Sequence, residues 1–391
     1  MSFKKQHYIM ASGVVVAVFL FVYFASPLFR NDFSYSSSLT ATATAEKVVP
    51  VPVPVVKHLP PRDPLKGIYM TACVASGRTY RDRLIKLADD TEINAIVINI
   101  KDETGTIAID PTNPLLKPAH AVATCPVSDM KELVDLLHSK DIYAIARIAV
   151  FQDPFLVKQH PEWAVKRASD GAVWRDRKGI PWLDVKAKPV WDYIVALSRE
   201  SEKLGFDEIQ FDYIRFPSDG NMQDIAYPYY RASQESKATA MKDFFIYIHS
   251  QLKDLGIPLS VDLFGMTTTN TDDLGIGQVL ENALPYFDYV LPMVYPSHWP
   301  AGWNGLKKPA ENPYEVIKVS MQAAVNRAKA ASTTPLKLRP WLQDFDLGAD
   351  YDVAKIRAQI QATYDAGLTS WIVWDPRNIY TESAYLPEKK P

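Results

Sequence analysis

Eight short runs of β-favouring residues, each followed by a polar or amphipathic stretch, organise the chain from Gly67 onward. The runs are 67–72, 94–102, 142–151, 206–216, 258–267, 288–296, 337–345 and 368–375. Between them, apolar residues recur at steps of three and four, the period of a helix with one buried face. Met130, Leu133, Val134 and Leu137 do so in 127–140, and Met241, Phe245, Ile248, Leu252 and Leu255 in 229–255. Val353, Ile356, Ile360 and Tyr364 repeat the pattern in 351–366. Gly205, Gly256 and Gly367 each stand between a helical stretch and the next run, where helices stop. Eight such units within 65–391 predict a (β/α)8 TIM barrel, of the α/β class. An open doubly wound sheet ranks lower, because no Gly-rich phosphate turn follows the first run.

Ahead of the barrel, Lys4 and Lys5 precede an apolar run from about Tyr8 to Phe29 that holds no charged residue. About 20 such residues span a bilayer as a helix. The run exceeds the roughly 7–15 residues of a signal-peptide core. Its length favours an uncleaved transmembrane anchor in 1–30 over a cleaved signal segment. The two lysines place the amino terminus inside and the bulk outside. Residues 31–64 read as a Ser/Thr/Pro-rich linker, with Val49-Pro50-Val51-Pro52-Val53-Pro54 as a stiff extended spacer. The expectation is a single-pass cell-membrane protein with an extracytoplasmic barrel, or a secreted one if the anchor is removed.

Lys plus Arg is 43 and Asp plus Glu is 45, a formal charge of −2, which excludes a strongly basic nucleic-acid binder. The mean hydropathy of −0.13 excludes a polytopic membrane protein. Cys73 and Cys125 make neither a disulfide scaffold nor a zinc site, although an exported domain lets them pair. No HExxH, paired CxxC, GxxxxGK[ST] or GxSxG occurs, so neither cofactor nor metal is expected. Asp102, Asp212 and Asp262 are residues a hard cation accepts, but no spacing demands one.

In such a barrel the chemistry sits at the carboxyl ends of the strands. Alternate strand residues face opposite sides. In the fourth run, Phe206, Ile209, Phe211 and Tyr213 face the helices, and Glu208, Gln210 and Asp212 point inward. Three polar side chains in a row are costly inside a core unless partners or a ligand meet them. Arg215, three residues on, is placed to hold Asp212 ionised. In the fifth run, Ser260, Asp262 and Phe264 face inward. Asp212 and Asp262 thereby face one another across a gap suited to two-carboxylate chemistry. Further candidates at strand ends are Glu103, Arg147, Tyr295, Trp299, Trp341, Trp374 and Asp375. Carboxylates among aromatic planes describe a carbohydrate cleft.

The stretch GIYMTACVASGRTYRDRLIKLADDTEINAIVINIKDETGTI (67–107) resembles a bacterial domain family classed as glycosyl hydrolase-like. GFDEIQFDYIRFPSDG (205–220) and DYVLPMVYPSHW (288–299) carry the same likeness. The resemblance implies a barrel related to amylase-like and chitinase-like hydrolases, in which an Asp ends strand four; Asp212 matches that position. Gln210 stands where chitinase-like enzymes carry an acid, and Ile214 where their catalytic Glu falls. Amylase-like enzymes place an Arg at the position of Gln210 and a Glu acid on strand five, where this chain has Asp262.

The expectation is therefore a glycoside hydrolase acting on a cell-envelope or extracellular polysaccharide. Asp212 is the nucleophile or transition-state stabiliser, Asp262 the general acid and Glu103 a reserve acid. Tyr295, Arg147 and Asp375 orient the sugar, and Gln210, Arg215 and the tryptophans complete the substrate contacts. The alternatives are a barrel that holds glycan without cutting it, and an esterase or deacetylase with a carboxylate-bound metal.

Overall fold

A computed structural model of the chain describes residues 56–387. The expected anchor (1–30) and most of the expected linker lie outside the described residues. Among the described residues, no helix is long and apolar enough to cross a membrane.

Each of the eight expected runs contains one strand. They are β1 (Lys66–Met70), β2 (Ala95–Lys101), β3 (Tyr143–Ala149), β4 (Glu208–Asp212), β5 (Leu259–Phe264), β6 (Tyr289–Met293), β7 (Trp341–Gln343) and β8 (Trp371–Trp374). All pair in parallel, and β8 returns to β1 to close a barrel. The larger helices are α1 (Arg78–Asp90), α2 (Met130–Ser139), α3 (Lys188–Lys203), α4 (Lys237–Leu252), α5 (Pro313–Ala330) and α6 (Val353–Asp365). The alternation shortens after β5, where Leu280–Ala283 makes a single turn, and after β8, where Glu382–Ala384 is a 3-10 turn.

Local chemistry sets the helix ends. The Ser236 hydroxyl accepts the Thr239 N–H at 3.1 Å and starts α4. Met241, Phe245, Ile248 and Leu252 then form its buried face. Each such side chain removed from water stabilises the fold by about 1.5–3 kcal/mol. Gly256 adopts φ 71°, the left-handed conformation that stops the turn following α4. In α6 the Asp352 carboxylate accepts the Lys355 N–H at 2.9 Å. Val353 departs from the expected buried row and is exposed, because it sits beside that cap before the buried face begins.

Two apolar cores result. An outer one between barrel and helices takes Ile209, Phe211, Val261 and Leu263. An inner one fills the barrel with Tyr69, Val97, Tyr143, Ile145, Leu291, Trp341 and Ile372. Polar side chains interrupt the inner core in layers fixed by register. Arg147 lies opposite Gln210, and Gln210 opposite Ser260. Asn99 lies opposite Arg147. Asp212 and Asp262 each stand two residues further along, one layer nearer the carboxyl-end mouth. Below them, Glu208 pairs with Arg339 at 2.9 Å, and both are fully buried. Glu208 thus braces the barrel floor.

Cys73, in the short helix Ala72–Ser76 after β1, is disulfide-bonded to Cys125, in the connection from β2 to α2. Closing a loop of 52 residues contributes roughly 4 kcal/mol in the chain-entropy account. At the opposite end, Leu59 donates its N–H to Asp207 at 2.6 Å, and Arg62 bonds Asp141. Residues 56–64, the end of the expected linker, therefore run against the barrel.

Candidate active site

The carboxyl ends of β3 to β8 surround a cleft of about 320 Å³. Its floor is a charged triad that register assembles. Asp212 ends β4 and Asp262 lies in β5, each inward by strand parity. Arg147 starts one layer lower on β3, and its length carries the guanidinium up between them. Its Nη2 pairs with Asp212 Oδ2, and its Nε lies 3.7 Å from Asp262 Oδ2. The third nitrogen, Nη1, donates to Asn99 Oδ1 at 2.7 Å. Asn99 Nδ2 in turn donates to the Tyr69 hydroxyl at 2.6 Å. Burial opposes the charge on Arg147, but Asp212, Tyr69 and Asp262 outweigh it and hold its pKa well above the ordinary arginine value.

The two aspartates differ. Asp262 is 1% exposed. Its Oδ1 accepts from Trp341 Nε1 at 2.7 Å and Gln210 Nε2 at 3.0 Å. Its buried Oδ2 accepts no hydrogen bond among the described residues. Burial first, and the charge of Asp212 second, push the Asp262 carboxyl well above the usual carboxylate range. Asp212 is the ion-paired partner, and its Oδ1 also accepts the Tyr213 N–H at 2.5 Å. A buried carboxyl with a raised pKa is suited to the role of general acid.

Aromatic rings wall the cleft. Trp374 packs on Tyr295 with ring centroids 5.2 Å apart, and Trp299 packs on Trp303 at 4.2 Å. Burial, then Asp262 and Asp212, raise the Tyr295 phenol well above its usual value, so it stays a hydroxyl donor. Burial lowers the His298 imidazole, which is neutral at pH 7. At Gly265 a Cβ would fall 2.4 Å from the Met293 carbonyl oxygen, so only glycine lets the β5 end close on the β6 end. Among the described residues, no group of three or more His, Cys, Asp or Glu is placed to hold a metal ion.

Asp212, Asp262, Arg147, Arg215, Tyr295, Trp299, Trp341 and Trp374 all line this cleft. Gln210 lies beneath it and reaches it through Asp262. Several expected roles are corrected. Arg215 does not pair with Asp212. Tyr213 turns at φ 53°, which breaks the strand alternation and sends Arg215 between the Trp182 and Phe264 rings, 4.5 and 4.8 Å from their centroids. The same turn moves Tyr213 from the expected helix-facing set into the cleft wall. Trp341 acts through its N–H on Asp262 as well as through its ring. Asp375 is fully buried outside the lining, where it accepts the Arg377 N–H at 2.5 Å in the turn after β8. Glu103 is exposed beyond β2 and outside the lining, although its charge reaches Tyr69 and Tyr213. Asn99 and Tyr69 escaped the sequence reading. Asn99 carried a signal, as a polar residue at inward parity in the apolar run 94–102.

The family model described as a putative glycosyl hydrolase domain matches residues 67–380. The chain belongs to that family. This glycosyl hydrolase domain is also similar to solved structures. The PgaB (BpsB) glycoside hydrolase domain from Bordetella bronchiseptica is 14% identical, with a TM-score of 0.59 over 81% of this chain and 95% of that one. The α-L-fucosidase isoenzyme 2 from Paenibacillus thiaminolyticus is 12% identical, with a TM-score of 0.57 over 82% of this chain and 48% of that one. At these identities the likeness is one of fold. A hypothetical protein from Ruminiclostridium thermocellum is 31% identical over 54% of this chain and 98% of its own, with a TM-score of 0.45. No curated protein matches the chain.

Proposed function

We propose that the protein is a glycoside hydrolase that cleaves a polysaccharide outside the cytoplasm, with Asp262 as general acid and Asp212 facing the anomeric carbon. One observation carries this reading: a buried carboxyl and an ion-paired carboxylate share the floor of one aromatic-walled cleft. Asp262 gives its proton to the glycosidic oxygen as that bond breaks. Asp212 meets the positive charge at the anomeric carbon, either by bonding to it or as its counter-charge. Tyr295 hydrogen-bonds sugar hydroxyls, and Trp299 and Trp374 pack on sugar faces. Incubating the full-length protein with a panel of envelope and extracellular polysaccharides and assaying reducing ends tests the reading. The anomeric configuration of the first product tells bonding from counter-charge. Absence of cleavage across the panel, with oligosaccharide binding retained in calorimetry, selects the non-catalytic barrel instead. That reading draws on Asp212, both of whose oxygens already have protein partners.

The Trp341 contact gives the acid assignment a separate check. In Trp341→Phe the ring remains but the N–H that favours ionised Asp262 is lost, so the Asp262 pKa rises further. Activity that needs protonated Asp262 then persists to higher pH, with the alkaline limb displaced upward by about one unit. A limb that stays in place or falls removes Asp262 from the acid role.

The Cys73–Cys125 bond supports an oxidising compartment, in keeping with a membrane anchor at 8–29 and the barrel outside. Thiol labelling of protein extracted from its own cells without reductant is expected to find both cysteines blocked. Two free thiols would place the barrel in the cytoplasm.

A further inference from the structure

Arg147 is matched by Asp212 and Asp262, but the other cation of the cleft is not matched. Arg215 lines the cleft wall with its guanidinium packed between the Trp182 and Phe264 rings. Its Nη1 donates to the Phe216 carbonyl at 3.2 Å and the Ser218 hydroxyl at 3.0 Å. Both acceptors are neutral, and Nε and Nη2 make no hydrogen bond to the described residues. The carboxylates that act on it from a distance are Asp212, Asp219 and Asp176, and burial outweighs them. All three are engaged elsewhere: Asp212 with Arg147, Asp219 with the Arg177 N–H at 3.2 Å, and Asp176 with Trp182 Nε1 at 3.1 Å. A half-buried guanidinium on a cleft wall, with two nitrogens that the described residues leave unbonded, can take a carboxylate or sulfate bidentately.

A second feature points the same way. Trp182 and Asp176 belong to a hairpin within 173–182, whose strands bridge at Arg175 and Pro181. Its turn exposes Arg175, Arg177 and Lys178. Arg175 bonds the Gly179 carbonyl at 2.9 Å, and among the described residues no ion pair engages any of the three. The hairpin lies behind the cleft lining, beside Asp176 and Asp219, and its three exposed cations add positive charge on the Trp182 side of Arg215.

We propose that Arg215 and the 173–182 hairpin form a subsite for an anionic substituent of the saccharide, so that the polymer cleaved is an acidic one. This rests on the hydrolase reading and names its substrate class. The guanidinium supplies the paired hydrogen bonds, Trp182 and Phe264 fix its plane, and the hairpin cations draw neighbouring acidic sugars into line.

The test is calorimetric binding to the full-length chain of an oligouronate, its neutral methyl ester, a sulfated oligosaccharide and its unsulfated parent. One anionic member is expected to bind about ten-fold tighter than its neutral counterpart, and which member does so separates carboxylate from sulfate. Arg215→Gln is expected to erase that difference by weakening anionic binding far more than neutral binding. The exposed double variant Arg177→Gln/Lys178→Gln, which leaves the packed rings alone, is expected to weaken anion binding about three-fold and to flatten its salt dependence. The proposal fails if neutral partners bind equally well, if neither anion binds, or if Arg215→Gln weakens both classes alike. Reducing ends are assayed separately. Discrimination without cleavage leaves the anionic subsite standing and removes the hydrolase reading, and cleavage without discrimination does the reverse.

Discussion

Asp212→Asn lowers the rate of glycan cleavage by roughly 10³-fold or more while leaving oligosaccharide binding within a few-fold of the parent. The substitution keeps the shape of the side chain and removes its charge. Among the described residues nothing else on the cleft floor is placed to replace that charge, because Asp262 is buried with its pKa raised and Glu103 lies outside the lining. A second readout follows from the same geometry. The Asp212 charge is one of the forces raising the Asp262 pKa. In the variant, Arg147 turns to the carboxylate left to it, 3.7 Å from its Nε, and Asp262 gives up its proton more readily. The residual activity therefore fails at lower pH than in the parent, opposite in sign to the shift in Trp341→Phe. Full activity in Asp212→Asn would end the two-carboxylate mechanism. A large loss with an unmoved alkaline limb would leave Asp212 necessary but uncouple it from Asp262.

The aspartates were legible because a strand gives its parity away. A charge at an inward position in an apolar run is costly, so Asp212 and Asp262 were marked by their neighbours alone. The barrel was legible for the same reason, since each strand is a short β-rich run with punctuation at its ends. Partnership was not legible. Arg215 is three residues from Asp212 in sequence, yet the left-handed turn at Tyr213 carries it away. Arg147 is 65 residues distant and becomes the partner through the β3–β4 register. Trp341 read as a sugar-stacking plane because its ring is visible in a sequence, whereas the direction of its N–H is set by the barrel's closure. Asp375 looked like a rim carboxylate, but the turn after β8 folds it inward against the Arg377 N–H. The Cys73–Cys125 bond depends on two connections meeting beside the barrel, and no local pattern encodes that.

Arg147→Met is expected to destabilise the fold more than any other single change in the cleft, by about 3–5 kcal/mol, because it strips a buried charge pair of one partner. Asp212, with an 8% exposed side chain, is left facing apolar walls and a second carboxyl. In calorimetry this appears as a fall in Tm of roughly 4–7 °C, accompanied by loss of cleavage. Stability alone would not show whether the cation serves folding or chemistry, but the double variant Arg147→Met/Asp212→Asn separates them. With both partners neutral and Asp262 holding its proton, the floor contains no uncompensated charge, and most of the lost stability returns. Cleavage does not return, because the charge that meets the anomeric carbon has gone. A stable and inactive double variant beside an unstable single one means that the charge pair adds little net stability and is kept for what it does to a sugar. A single variant that melts within about 2 °C of the parent would mean that water already shields Asp212 and that the Arg147–Asp212 pair contributes little to the fold.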